Sequence, residues 1–164
     1  GEGSAPGGRL WVVDAGGQPV GVLIQRGHPW MGDGSTTPDL LRDGVLLYAP
    51  ADNLFFGVTM SSGQVLAPRL GVADPACNEP VVAGYYVDGP EVSGFGLGFV
   101  YRGAWYRVRG GEQLSLEPCA GIVKDGPNGQ CVLHSGSCRG FPLDQDNQVE
   151  TPTSFTPPLA FAWQ

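Results

Sequence analysis

The stretch LWVVDAGGQPVGVLI, residues 10–24, admits two readings with different folds behind them. Glycines after an apolar run can open a phosphate-binding loop, but that loop needs a helix behind it whose N-terminus faces the anion. Here Pro19 and Gly21 follow, then Val22, Leu23 and Ile24, an apolar run of strand character. Proline and glycine interrupt helices, whereas β-branched residues suit a pleated, half-buried surface. The Asp-Ala-Gly-Gly-Gln segment is therefore a hairpin turn, in which glycine supplies positive φ and Asp hydrogen-bonds its own backbone. A similar pattern recurs at VTMSSGQVLAP (58–68) and VKDGPNGQCVL (123–133). Three such turns point to antiparallel sheet.

The remaining sequence agrees. Its 164 residues include 27 Gly and 15 Pro, yet 41% are hydrophobic, so the chain can pack a core while being punctuated by turns. Strand patterns fall at 10–14, 19–25, 44–49, 54–60, 64–67, 81–88, 93–102, 104–109, 120–124, 130–134 and 158–163. Short strands at this spacing predict an all-β fold, an antiparallel, jelly-roll-like β-sandwich with long loops. One helical turn is expected at 38–42, and the region 135–157 is expected to be irregular. GFGLGF (94–99) leaves one strand face bare, open to close approach by another backbone or ring. From residue 159 onward apolar side chains alternate with small or polar ones, which predicts a terminal strand with one buried face. Residues 1–9 read as a stalk end or an appended remnant, and 10–164 as a single β domain.

Charge and cysteine content narrow the function. The net charge is −7 and basic residues are not clustered, so nucleic acid is not an expected partner. Arg102, Arg107 and Arg109 alternate with Tyr101, Trp105, Tyr106 and Val108, as on a solvated strand face. No apolar run is long enough to span a membrane. Cys77, Cys119, Cys131 and Cys138 form no CxxC pair, which favours two disulfides over zinc and implies a secreted or cell-surface protein. Three connectivities are open, with the turn-rich span from Cys119 to Cys138 favoured for internal links.

Motifs for chemistry are sparse. There is no G-x-S-x-G elbow, and Asp14, Glu112 and Glu117 offer a glycosidase no distinctive pair, so no enzyme activity is expected. Asp144, Asp146 and Glu150 in DQDNQVE place oxygen ligands together as a calcium loop does, without the EF-hand glycine and spacing. The segment 26–43 is long for a loop and carries His28 and Trp30 near its tip, so both are candidate ligand-binding residues. Tyr86 and Trp105 are candidates too, because an aromatic face stacks on the C–H face of a sugar ring. Alternation sends Trp105 and Tyr106 to opposite faces. His134, in LHSGSC, reads as a turn or rim residue.

WVVDAGGQPVGVLI, then GVLLYAP, then ACNEPVVAGYYVDG, then VYRGAWYRV and a cysteine-containing tail resemble a family of secreted bacterial β-rich domains at the ends of collagen-like or fibrous stalks. The resemblance implies a non-catalytic adhesion or receptor-binding tip, homo-oligomeric and commonly trimeric, recognising a surface glycan or protein. The alternatives are a structural subunit polymerising through extended termini and a carbohydrate-active enzyme.

Overall fold

The Asp14 carboxylate accepts hydrogen bonds from the backbone N–H groups of Gly16 and Gln18, each at 2.9 Å, and Gly17 takes φ +83°. This is the turn read from the sequence, joining β1 (Leu10–Val13) to β2 (Pro19–Arg26) in antiparallel register. In the second Gly-Gln segment Val58 bridges Val65, and the Gly63 N–H donates to the Thr59 carbonyl at 2.8 Å. The strands flanking the third, β10 (Gly121–Lys124) and β11 (Gln130–Leu133), pair antiparallel, while its turn at 125–129 lies outside the described residues. The structure is a computed structural model that describes residues 8–27, 43–84, 97–109, 111–124 and 130–164. The expected helical turn at 38–42 and the bare face at 94–96 lie outside them.

The other strands are β3 (Gly44–Ala49), β4 (Leu54–Thr59), β5 (Leu70–Val72), β6 (Pro80–Gly84), β7 (Leu97–Tyr101), β8 (Ala104–Val108), β9 (Leu114–Leu116), β12 (Cys138–Gln145) and β13 (Ala160–Trp163). They join in one sheet, ordered β11-β10-β5-β6-β12-β8-β7-β4-β3-β2-β1-β13, with β9 paired to β12. Among the described residues every strand pairing is antiparallel except β4 with β7. A 3-10 turn, Pro50–Asp52, links β3 to β4. Among the described residues the regular structure is thus almost entirely β-strand, in a chain that carries disulfide bridges.

Two apolar clusters form on opposite faces of the central strands. One gathers Leu70, Val72, Ala83, Phe99, Tyr101, Val108 and Phe141; the other gathers Val12, Leu47, Leu54, Phe56, Val58, Val100 and Trp105. Strand β7 is buried on both faces, because Phe99 and Val100 point into different clusters. Gly98 keeps part of its own face bare: a Cβ there would lie 2.5 Å from Leu54 Cδ1. Leu54 fills the space that the sequence left open.

Three strands depart from expectation. Residues 64–67 make only isolated bridges, and the strand β5 forms just beyond them. Strand β9 was hidden by its brevity. The largest correction is β12, which occupies part of the region expected to be irregular. Gly140 and Pro142 look like turn residues, yet each serves pairing. A Cβ at Gly140 would lie 1.9 Å from the Ala83 carbonyl oxygen, so glycine admits the close approach of β6. The Pro142 carbonyl accepts from the Arg109 N–H at 2.8 Å, so its missing donor falls just beyond β8. Strand β12 pairs β6 and β9 through its first half and β8 through its second, joining the two parts of the sheet.

Candidate functional site

Gly71 on β5 lies between Ile122 of β10 and Val82 of β6, so these three residues form a row across adjacent strands. The row has room for sulfur because Gly71 has no side chain: a Cβ there would stand 2.6 Å from Cys138 Sγ and 3.6 Å from Cys119 Sγ. Gly121 plays the same part for the other bridge, its added Cβ falling 2.6 Å from Cys77 Sγ. The bridges are Cys119–Cys138 and Cys77–Cys131. All four cysteines are paired within one chain, as expected, but only the first bridge stays inside the favoured span. Because residues 71 and 72 point to opposite faces, one bridge lies on each side of the β5–β10 ribbon.

Beside Cys138 a groove of about 130 Å³ opens on this row, lined by Arg69, Leu70, Gly71, Val82, Ile122, His134, Ser137, Cys138 and Arg139. Among the described residues its lining holds two arginines and a histidine beside apolar side chains, and no carboxylate. His134 Nε2 lies 3.2 Å from the Ser137 carbonyl oxygen, which can only accept, so this nitrogen carries a proton. On a chain of net charge −7, the groove is a local cationic setting. Its volume is below the several hundred Å³ typical of sites for whole small molecules, so it suits a single anionic group.

The residues singled out from the sequence are scattered. His28, Trp30 and Tyr86 lie outside the described residues. Trp105 is described and corrects the expectation of a ring open to ligand. It is 4% exposed, packs edge-on against Phe56 at 5.4 Å, and donates its indole N–H to the Thr151 carbonyl at 2.8 Å. Tyr106 does point the other way, stacking on Phe99 at 5.8 Å. Both faces of β8 are covered, so alternation alone could not reveal a free ring.

The Arg102, Arg107, Arg109 face is also more than a solvated surface. Arg107 Nε pairs with Asp146, while its other nitrogens donate to the Asn53 carbonyl at 2.8 Å and the Asp52 carbonyl at 2.7 Å. Arg109 pairs with Asp144. Arg102 donates to Asn78 Oδ1 and the Ala76 carbonyl, and the Tyr101 hydroxyl donates to the Cys77 carbonyl, clamping the loop that presents Cys77.

Two of the proposed calcium ligands, Asp144 and Asp146, are therefore engaged by arginines. The Arg109 hydrogen bond holds the Asp144 carboxyl below its usual value, and the Arg107 hydrogen bond does the same for Asp146. Burial pushes Asp52 up, but hydrogen bonds from the Thr151 hydroxyl and the Glu150 and Thr151 N–H groups outweigh it and leave that carboxyl lowered. Glu150 contributes a backbone N–H to this network. Among the described residues, no group of three or more His, Cys, Asp or Glu side chains is arranged to hold a metal ion.

Sequence reasoning read His134 only as a turn or rim residue, not as a binding one, and did not single out Arg69 or Arg139 as binding residues. They are distant along the chain and become neighbours only because β5, β6 and β12 lie side by side. No family model, curated protein or solved structure matches the chain.

Proposed function

We propose that this protein is a non-catalytic extracellular binding module, the tip of a surface fibre, that recognises an anionic group on a surface glycan. The observation that carries the reading is the groove whose described lining brings Arg69, His134 and Arg139 together with no carboxylate among them, on a strongly acidic chain. Two disulfides support an oxidising, extracellular setting. Among the described residues no helix is long and apolar enough to cross a membrane. We read the architecture as sandwich-like, supported by the two apolar clusters on opposite faces of β7 and β8. Such a scaffold holds the groove rigidly, so little ordering free energy is lost on binding.

Titration calorimetry with a uronate-containing oligosaccharide and its neutral counterpart tests the reading. The acidic sugar binds, added salt weakens it, and Arg139→Ala lowers affinity about tenfold or more, as loss of a charged hydrogen bond requires. Equal affinity for both sugars, or no binding by either, refutes it.

A further inference from the structure

Among the described residues β13 ends the sheet, with β1 as its one paired neighbour. The Arg9 N–H donates to the Gln164 carbonyl at 2.9 Å and the Gln164 N–H returns the bond at 3.0 Å, so this is a hydrogen-bonded pair. The register continues Leu10↔Trp163, Trp11↔Ala162, Val12↔Phe161 and Val13↔Ala160. Hydrogen-bonded and non-hydrogen-bonded pairs alternate along an antiparallel ladder, so the backbone N–H and C=O groups of Phe161 and Trp163 face the open edge. These two residues also expose their rings, 39% for Phe161 and 61% for Trp163. The strand Ala-Phe-Ala-Trp has no charge, proline or bulge, the devices by which edges avoid pairing.

We propose that β13 is a self-association edge, through which two copies of this chain pair antiparallel about a twofold axis at Ala162. In that register Phe161 stands opposite Trp163 of the partner subunit, and the reciprocal pair forms by symmetry. All four outward backbone groups of each strand then find complementary partners, with no group left over. A cation–π contact borders the edge as well. The Arg26 guanidinium already lies 5.0 Å from the Phe161 ring centroid, and the pairing brings an indole, the best cation–π acceptor, beside that ring.

The opposite end of the sheet fits less well: on β11 the outward backbone groups belong to Cys131 and Leu133, and Cys131 is tied into a disulfide. A β13–β13 contact is isologous and closes at two copies. A four-residue strand buries little area, so the dimer is weak and concentration-dependent.

Sedimentation equilibrium over rising concentration reads the mass directly, and the expected limit is twice that of one chain. Phe161→Lys combined with Trp163→Lys holds the mass at one chain with an unchanged melting midpoint. A positive test works even if that variant unfolds. At the twofold axis the Ala162 positions form a non-hydrogen-bonded pair with Cα atoms about 4.5 Å apart, within disulfide reach. Ala162→Cys therefore cross-links two chains under mild oxidation, whereas Ala160→Cys, opposite Gln164 of the partner subunit, does not; peptide mapping verifies that the native bridges persist. A mass of one chain at every concentration, a limit of three chains, open-ended growth, or equal cross-linking at 160 and 162 overturns the proposal.

Discussion

Cys138 Sγ occupies the space where Gly71 would carry a side chain, 2.6 Å from an ideal Cβ position, and Val82 Cγ2 closes the same space at 2.7 Å. Neither neighbour can withdraw easily: the sulfur is fixed to Cys119, and Val82 is buried. Gly71→Ala is therefore expected to destabilise the protein by about 1–3 kcal/mol, the usual cost of overpacking. Urea unfolding measures it. A midpoint within error of the parent would show that the bridge and β6 shift freely to admit a methyl group, and that glycine is not required at this position.

The two bridges should differ in worth. Cys77–Cys131 spans 54 residues and Cys119–Cys138 spans 19. In the chain-entropy treatment the longer loop constrains the unfolded chain more, giving about 4 against about 3 kcal/mol. Paired Cys→Ser substitutions compared by denaturant titration should reproduce that order. The longer bridge also anchors the loop held by Tyr101 and Arg102, so its loss should bring protease cleavage near Cys77 that loss of the shorter one does not.

Local chemistry made parts of this fold legible. The Asp14 turn could be read because Asp, two glycines and flanking valines each favour the same hairpin. Strand β12 could not, because Gly140 and Pro142 carry turn chemistry and their strand role depends on Ala83 and Arg109, partners distant in sequence. Residues after Leu159 also misled. Their alternation implies a buried face, and Leu159 is buried, but Phe161 and Trp163 lie at an edge with no strand beyond among the described residues. Periodicity reports which side chains share a face, not whether anything covers it. The groove was illegible for a related reason, since Arg69 and Arg139 share no local pattern.

Acid should destabilise the protein through a defined group. Asp52, Asp144 and Asp146 are all held below their ordinary value of 3.8 in the folded chain. Each therefore adds stability that is complete above about pH 4 and is lost as pH falls through the lower folded values. The Asp144–Arg109 pair is more than half exposed and contributes little, whereas Asp146 and Asp52 lie around Arg107. Asp146→Asn should lower stability at pH 7 and flatten the fall as pH drops below about 4. Parallel curves for variant and parent over that range would remove Asp146 from the acid response.

Trp105 separates a structural ring from a recognition ring. Its indole is packed against Phe56 and bonded to the Thr151 carbonyl, which ties the segment after β12 to β8. Trp105→Ala removes a large buried ring and leaves that carbonyl without its donor, so a loss of about 3–5 kcal/mol is expected. Trp105→Phe keeps most of the packing and loses the N–H, so it should fall between the parent and the alanine variant. If the ring is purely structural, the phenylalanine variant still folds and binds an acidic oligosaccharide as tightly as the parent. Differential scanning calorimetry and the binding titration together decide the matter: an alanine variant with the parent's melting midpoint but weakened sugar binding would place Trp105 at the recognition surface, contrary to its buried position.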